Sequence, residues 1–175
     1  MYNYRGIPRI EDIMIITFAG HSLLTEKDEL SKTVRQIITE KIKKADKVSF
    51  YCGGYGDFDM ICQGVCRSVK KDFPNCETVF VTPYMTDSQQ KKIDCLLENR
   101  VYDAVIYPPL ESVPSKYAIS RRNKWMVDSA DLIIAYVKYK SGGSYKTLQY
   151  AVRRNKTVIN LADLKSGENN KEQAR

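Results

Sequence analysis

The sequence predicts an α/β protein with a doubly wound, mostly parallel Rossmann-like sheet and helices on both faces. Three observations predict it. Short runs rich in β-branched residues, such as IMIITF at 13–18 and DLIIAYV at 131–137, read as strands buried on both faces. Longer stretches between such runs carry apolar residues at helical spacing. Strand and helix alternate along nearly the whole chain, which is the grammar of a parallel sheet with crossover helices. At 175 residues the chain suffices for one core without metal or disulfide support. It divides into a single domain, 1–162, and a polar tail, 163–175.

The first strand, Ile13 to Phe18, runs into Ala19-Gly20-His21-Ser22. A helix follows from Thr25, which can cap it with Asp28 three residues on, and Leu30, Val34, Ile37, Ile38 and Ile42 share one face. The second strand, Lys47 to Cys52, turns through Gly53-Gly54-Tyr55-Gly56 into a helix with Phe58, Ile61, Cys62, Val65 and Val69 inward. The third strand is Glu77 to Thr82, followed by a helix over Asp87 to Asn99 that buries Ile93, Leu96 and Leu97. Asp103 to Tyr107 forms a short fourth strand, closed by a proline segment that cannot be helical. Ser115 or Ser120 caps the next helix, whose Trp125 is either core or a base-stacking platform. The fifth strand is Asp131 to Val137. Ser141-Gly142-Gly143-Ser144 then opens a helix burying Leu148, Ala151 and Val152, and Thr157 to Leu161 is the last strand.

In such a sheet ligands bind beyond the carboxyl ends of the strands. That rule gathers Gly20, His21, the Gly53 to Asp59 loop, Glu111 and the Ser141 to Ser144 turn on one edge. A glycine turn at a helix start leaves backbone N–H groups free beside the positive end of the helix dipole, where an anion is favoured. Gly142, Gly143 and Ser144 therefore form a candidate phosphate grip, with Ser141, Lys146 and Thr147 adjoining it and Arg121 and Arg122 supplying charge from upstream. Gly53, Gly54 and Gly56 let a ligand approach the backbone. Asp57 and Asp59 put two carboxylates at that turn, although Asp57 alternatively only caps the helix. Glu111 is the carboxylate of the proline segment, with a surface salt bridge as its plain alternative.

Five cysteines and one histidine make no convincing zinc set, and free thiols fit the cysteine spacing best. No metal or cofactor is expected. The net charge of +7 is scattered over pairs such as Lys43-Lys44 and Arg153-Arg154 rather than gathered in a stripe. With no nucleic-acid reading motif visible, no specific nucleic-acid partner is expected. No apolar run is long enough for a membrane span and no secretory signal is visible, so the expected address is cytoplasmic.

The segments ITFAGHS, FYCGGYGDFD, YPPLESVP, RRNKWMVDSADLIIAYV and SGGSYKTLQYA together resemble the SLOG superfamily. This is the Rossmann-like nucleotide-binding fold that includes the Lonely Guy phosphoribohydrolases and bacterial and phage proteins of unknown activity. The resemblance runs over Phe18 to Leu161. It implies a nucleotide or nucleotide-derived small-molecule ligand, and a homo-oligomer. Lonely Guy enzymes cleave the N-glycosidic bond of a nucleoside 5′-monophosphate, chemistry that needs a carboxylate near the anomeric carbon and cations on the phosphate. Arg122 stands four before Met126, as the family's arginine does. The second family motif is altered: Ser141 replaces a proline, Tyr145 a glycine and Lys146 a threonine, and Leu148 or Gln149 stands at the position of the essential glutamate.

Two functions follow. One is binding or sensing of a nucleotide-derived ligand through the glycine loops and the arginine pair. The alternative is a nucleotide N-glycosidase whose catalytic carboxylate is Glu111, Asp57 or Asp59.

Overall fold

The computed structural model describes residues 13–164. Strands β1 (Ile13–Gly20), β2 (Lys47–Cys52), β3 (Cys76–Val81), β4 (Ala104–Ile106), β5 (Leu132–Tyr136) and β6 (Thr157–Asn160) alternate with five helices. These are α1 (Lys27–Ile42), α2 (Asp57–Val69), α3 (Asp87–Glu98), α4 (Ser115–Ser129) and α5 (Gly142–Arg153). The six strands form one sheet in the order β4-β3-β2-β1-β5-β6, and every pairing is parallel. The doubly wound architecture expected from the alternation is the one observed.

Strand residues divide between two cores because successive side chains point to opposite faces. Ile16, Phe18, Leu132, Ile134 and Tyr136 pack with Leu30, Val34 and Ile38 of α1, Phe58 and Cys62 of α2, and Ile93 of α3. Ala19, Ile133, Ala135 and Val137 pack with Val127 of α4 and Ala151 of α5 on the other face. The split follows from right-handed crossovers, which put the connections of β1 through β4 on one face and those of the reversed direction on the other. Phe50, Phe58 and Phe80 are fully buried, each contributing about 1.5–3 kcal/mol of transfer free energy. The direction of winding reverses between β1 and β5, so their carboxyl ends diverge there and open a crevice.

Several boundaries differ from the sequence expectation, each for a local reason. Glu26, not Thr25, occupies the N-cap of α1, and no side chain caps it. The Leu24 N–H just upstream is taken instead by Asp57 Oδ2 at 2.9 Å. The fourth strand shortens to three residues because the Asp103 carboxylate accepts the Thr78 N–H and hydroxyl and pairs with Lys70. Residues 161–164 form a helical turn rather than extending the last strand. Val152 lies on the outer side of α5 and is exposed, so the buried face of that helix is carried by Ala151 with Tyr145, Leu148 and Tyr150 partly covered. The tail from residue 165 lies outside the described residues. No helix among them is long and apolar enough to cross a membrane.

Gly20 ends β1 where Phe58 crosses it: a Cβ added there would stand 2.3 Å from Phe58 Cδ1. Gly20→Ala is expected to destabilise the protein by about 1–3 kcal/mol through overpacking. Urea unfolding measures this, and an unchanged midpoint would show that the ring yields freely.

Candidate functional site

The crevice between the diverging ends of β1 and β5 has a volume of about 520 Å³, lined by the loops after β1, β2 and β5 and by one face of α4. Three loops meet there because three neighbouring parallel strands end together.

His21 braces the first loop against the last. Its Nε2 accepts the Lys138 backbone N–H at 2.8 Å, and Nδ1 lies 3.4 Å from Ser144 Oγ. A backbone N–H can only donate, so Nε2 carries no proton and the neutral ring is the Nδ1–H tautomer. Burial and the Lys138 charge push the His21 pKa below its ordinary value, which favours that neutral form.

The loop after β2 is pinned from beneath by Arg122. This side chain is 2% exposed, and its Nη1 donates to Gly53 O at 2.7 Å and to Val81 O at 2.8 Å. A Cβ on Gly53 would lie 2.5 Å from Nη1 and 3.0 Å from Asp59 Oδ2, so glycine is required between the guanidinium and the carboxylate. Asp59 Oδ2 accepts the Tyr55 N–H at 3.1 Å. Burial raises the Asp59 pKa, opposed by the Tyr55 N–H, the Arg122 charge and the Gly53 and Gly54 N–H groups of the same loop. Two buried atoms in this group, Asp59 Oδ1 and Arg122 Nε, have no hydrogen-bond partner. The Tyr55 ring lies over the guanidinium, 5.4 Å from its carbon.

The two helices that begin at the crevice end differently. The first N–H groups of α2 are consumed by the loop after β1, Asp57 N donating to Ser22 O at 3.0 Å and Phe58 N to His21 O at 3.4 Å. At α5 the N-cap Ser141 makes no side-chain cap hydrogen bond. Gly142 takes φ of 84°, a left-handed conformation that favours glycine, and a Cβ on Gly142 or Gly143 would meet nothing within 4 Å. This helix end is open.

Of the sequence candidates, Gly20, His21, Gly53, Asp59, Arg122, Ser141, Gly142, Gly143, Ser144 and Thr147 line the crevice together. Arg121, Lys146, Gly54, Gly56, Asp57 and Glu111 are not in its lining. Arg121 is exposed, turned about 100° around α4 from Arg122 as consecutive helical residues are. Gly54 and Gly56, with φ of 73° and 87°, shape the turn. Asp57 serves the loop instead: Oδ2 accepts from Leu24 N and pairs with Lys27 Nζ, each at 2.9 Å, and both hold its carboxyl below the ordinary range. Glu111 is exposed and follows β4, three strand spacings or about 14 Å from β1 across the sheet. Trp125 stacks on Tyr51 with ring centroids 5.8 Å apart and is not in the lining.

Ile119, Asn123 and Met126 line the crevice beside Arg122, as do Leu23, Tyr55 and Tyr139. The first group was legible: 119, 122, 123 and 126 recur at helical spacing and so share one face of α4. Nothing in the sequence marks the loop residues Leu23 and Tyr139.

Fold and site together define a doubly wound α/β domain with a ligand-sized crevice at its switch point. No protein-family model and no curated protein sequence matches the chain. Solved structures do. DNA processing protein A from Streptococcus pneumoniae matches with a TM-score of 0.58 at 13% identity, over 85% of this chain and 50% of that one. The same protein from Helicobacter pylori, solved for its single-stranded DNA binding mode, gives 0.55 at 15% identity, over 85% and 65%. The molybdenum cofactor carrier protein of Chlamydomonas reinhardtii gives 0.50 at 12%, over 85% and 76%. The chain thus spans about half to two-thirds of the DNA processing proteins it matches. At these identities the likeness shows the fold alone.

These matches correct one expectation. The absence of a base-reading motif does not exclude a nucleic-acid partner, since the same fold occurs in a protein described by its single-stranded DNA binding. Single strands are held by stacking and by a positive groove, neither of which leaves such a motif.

Arg122→Met leaves two carbonyls without their donor and Asp59 without its facing charge, so a loss of roughly 2–5 kcal/mol is expected in urea unfolding. An effect below about 0.5 kcal/mol, the level of an ordinary surface change, would show that the guanidinium does not hold the loop. His21 gives a pH signature. The unfolded chain takes up a proton near 6.5 and the folded one only at lower pH, so stability falls as pH drops below that value and is unaffected above it. His21→Asn should remove that part of the acid-side decline in thermal unfolding midpoint; an identical decline in both proteins would contradict the brace.

Proposed function

We propose that the crevice binds a nucleotide or nucleotide-derived ligand and grips its phosphate at the open N-terminus of α5. The observation that carries this reading is the contrast between the two helix ends: loop carbonyls satisfy α2, whereas the Gly142-Gly143-Ser144 end of α5 faces the crevice without a side-chain cap. Free N–H groups and the helix dipole favour an anion there. His21 Nδ1–H occupies a lone pair of the Ser144 hydroxyl and leaves its proton for a ligand oxygen. A volume of about 520 Å³ is within the range of small-molecule sites. In this reading Arg122 shapes the crevice floor rather than meeting the phosphate, because its Nη1 is committed to two carbonyls.

A second reading, a single-stranded nucleic acid, is favoured by exposed Tyr55 and Tyr117, which lie beneath the Lys92 and Lys116 ammonium groups at 5.4 and 4.9 Å. Aromatic platforms interleaved with cations suit stacked bases and a phosphate backbone. The Helicobacter protein of similar fold supports it. For the glycosidase alternative, Asp59 alone of the three carboxylates lines the crevice.

Calorimetric titration with nucleoside 5′-monophosphates, the matching nucleosides and a short single-stranded oligodeoxynucleotide separates these. Monophosphates are expected to bind at least about tenfold tighter than nucleosides, the worth of a charge-assisted hydrogen bond or more. Gly143→Asp adds a carboxylate to the helix end, which should leave the fold as stable or slightly more so. It should weaken the monophosphates at least about tenfold by occupying the site. Binding of the oligonucleotide alone would transfer the function to the second reading. Free base appearing in the mixture would establish hydrolysis.

A further inference from the structure

Asp59 Oδ1 and Arg122 Nε are a buried acceptor and a buried donor, both unpaired, on side chains that line the same crevice. Buried polar atoms are rarely left so, because each forfeits about 1–3 kcal/mol of solvation. The two side chains flank Gly53, where a Cβ would stand 2.5 Å from Arg122 Nη1 and 3.0 Å from Asp59 Oδ2, so they are held close together at the crevice wall. A phosphate does not suit this wall, since its oxygens would face the Asp59 carboxylate. A hydroxyl does: it donates to the carboxylate oxygen and accepts from the guanidinium N–H.

The place is as informative as the chemistry. Asp59 stands in the first turn of the helix after β2, and α5 follows β5. With β1 between those strands, the two are about two strand spacings apart, roughly 10 Å, the scale of a nucleotide rather than a bare phosphate. The Tyr55 ring covers the guanidinium. Its backbone N–H is tied to Asp59, so uncovering the pair requires a rotamer change of an exposed side chain, which is fast.

We propose that Asp59 and Arg122 form a hydroxyl-recognising subsite that takes a ribose hydroxyl of the ligand and makes the protein select ribonucleotides over deoxyribonucleotides. The inference rests on the nucleotide reading above. It assigns the sugar of the ligand, the part next to the phosphate.

The test is calorimetric titration of the full chain with adenosine 5′-monophosphate and its 2′-deoxy and 3′-deoxy counterparts, and with the guanosine series in parallel. The wild-type protein is expected to bind the ribonucleotide at least about tenfold tighter than one of the deoxy forms, as expected when a buried polar pair loses its partner. Asp59→Asn keeps an acceptor for the Tyr55 N–H, and its thermal unfolding shows whether it folds. In it the ratio should fall to within about twofold. Gly143→Asp should lower affinity for every member and leave the ratio unchanged. Equal affinities for the three in the wild-type protein overturn the subsite while the nucleotide reading stands; no binding by any of them overturns both. The wild-type ratio decides the matter even if the Asp59 variant does not fold.

Discussion

The guanidinium of Arg122 holds the crevice in shape. It comes from α4 on one face of the sheet and reaches the strand ends, where a single nitrogen binds the carbonyls of Gly53 and Val81. Those carbonyls belong to the turn after β2 and to the last residue of β3, beyond the regular ladder, where backbone acceptors need other donors. One buried cation thus fastens α4 to the ends of two neighbouring strands. The cost of burying it is offset by the carbonyls and by Asp59, whose carboxylate faces it across Gly53. Gly53 is therefore a packing requirement as well as a turn residue, and the glycine loop is rigid where the guanidinium meets it.

That rigidity decides which helix end is available. A loop of three glycines before α2 has the composition of a phosphate cradle, but the adjacent loop after β1 turns its Ser22 and His21 carbonyls onto the first N–H groups of α2. Gly56 permits that approach: a Cβ there would stand 2.8 Å from Ser22 Cα. The α5 turn has no such neighbour. His21 reaches it from the side, through Ser144 and the Lys138 N–H, without covering Gly142 or Gly143. One histidine thereby sets the distance between the loops after β1 and β5 while leaving the helix end open.

The strand runs and helix faces were legible because burial imposes a period, and periods survive in the sequence. Ile16, Phe50 and Ile134, and the α1 row from Leu30 to Ile42, fell where the pattern placed them. The crevice was legible as a set of loops, since parallel strands all end on one edge. Which residues of those loops turn inward was not. Arg121 and Arg122 are adjacent and chemically alike, yet one is solvent-exposed and the other is in the core; only the helical row through Ile119 and Met126 separates them. Asp57 and Asp59 likewise read as equivalent carboxylates, and their fates depend on Lys27 at the start of α1 and on the buried Arg122 of α4, partners contributed by other elements. Strand ends alone put Glu111 on the ligand edge, but the strand order puts β4 farthest from the switch point on that side.

The charge of the whole chain and the chemistry of the crevice act at different ranges. The net charge of +7 is carried mostly by exposed lysines and arginines on outer helix faces. Such charges attract any polyanion, and at physiological ionic strength their reach is about 8 Å. Within the crevice the cation is already committed to carbonyls, so an anion bound as proposed would be met by backbone N–H groups and a helix dipole over contact distances. Attraction through the outer faces must weaken steeply as salt rises, with a slope set by the number of phosphates contacted, whereas a single phosphate seated on α5 would lose less. Salt dependence therefore separates a ligand held in the crevice from a strand laid over the surface, and the buried guanidinium is the reason the two modes differ.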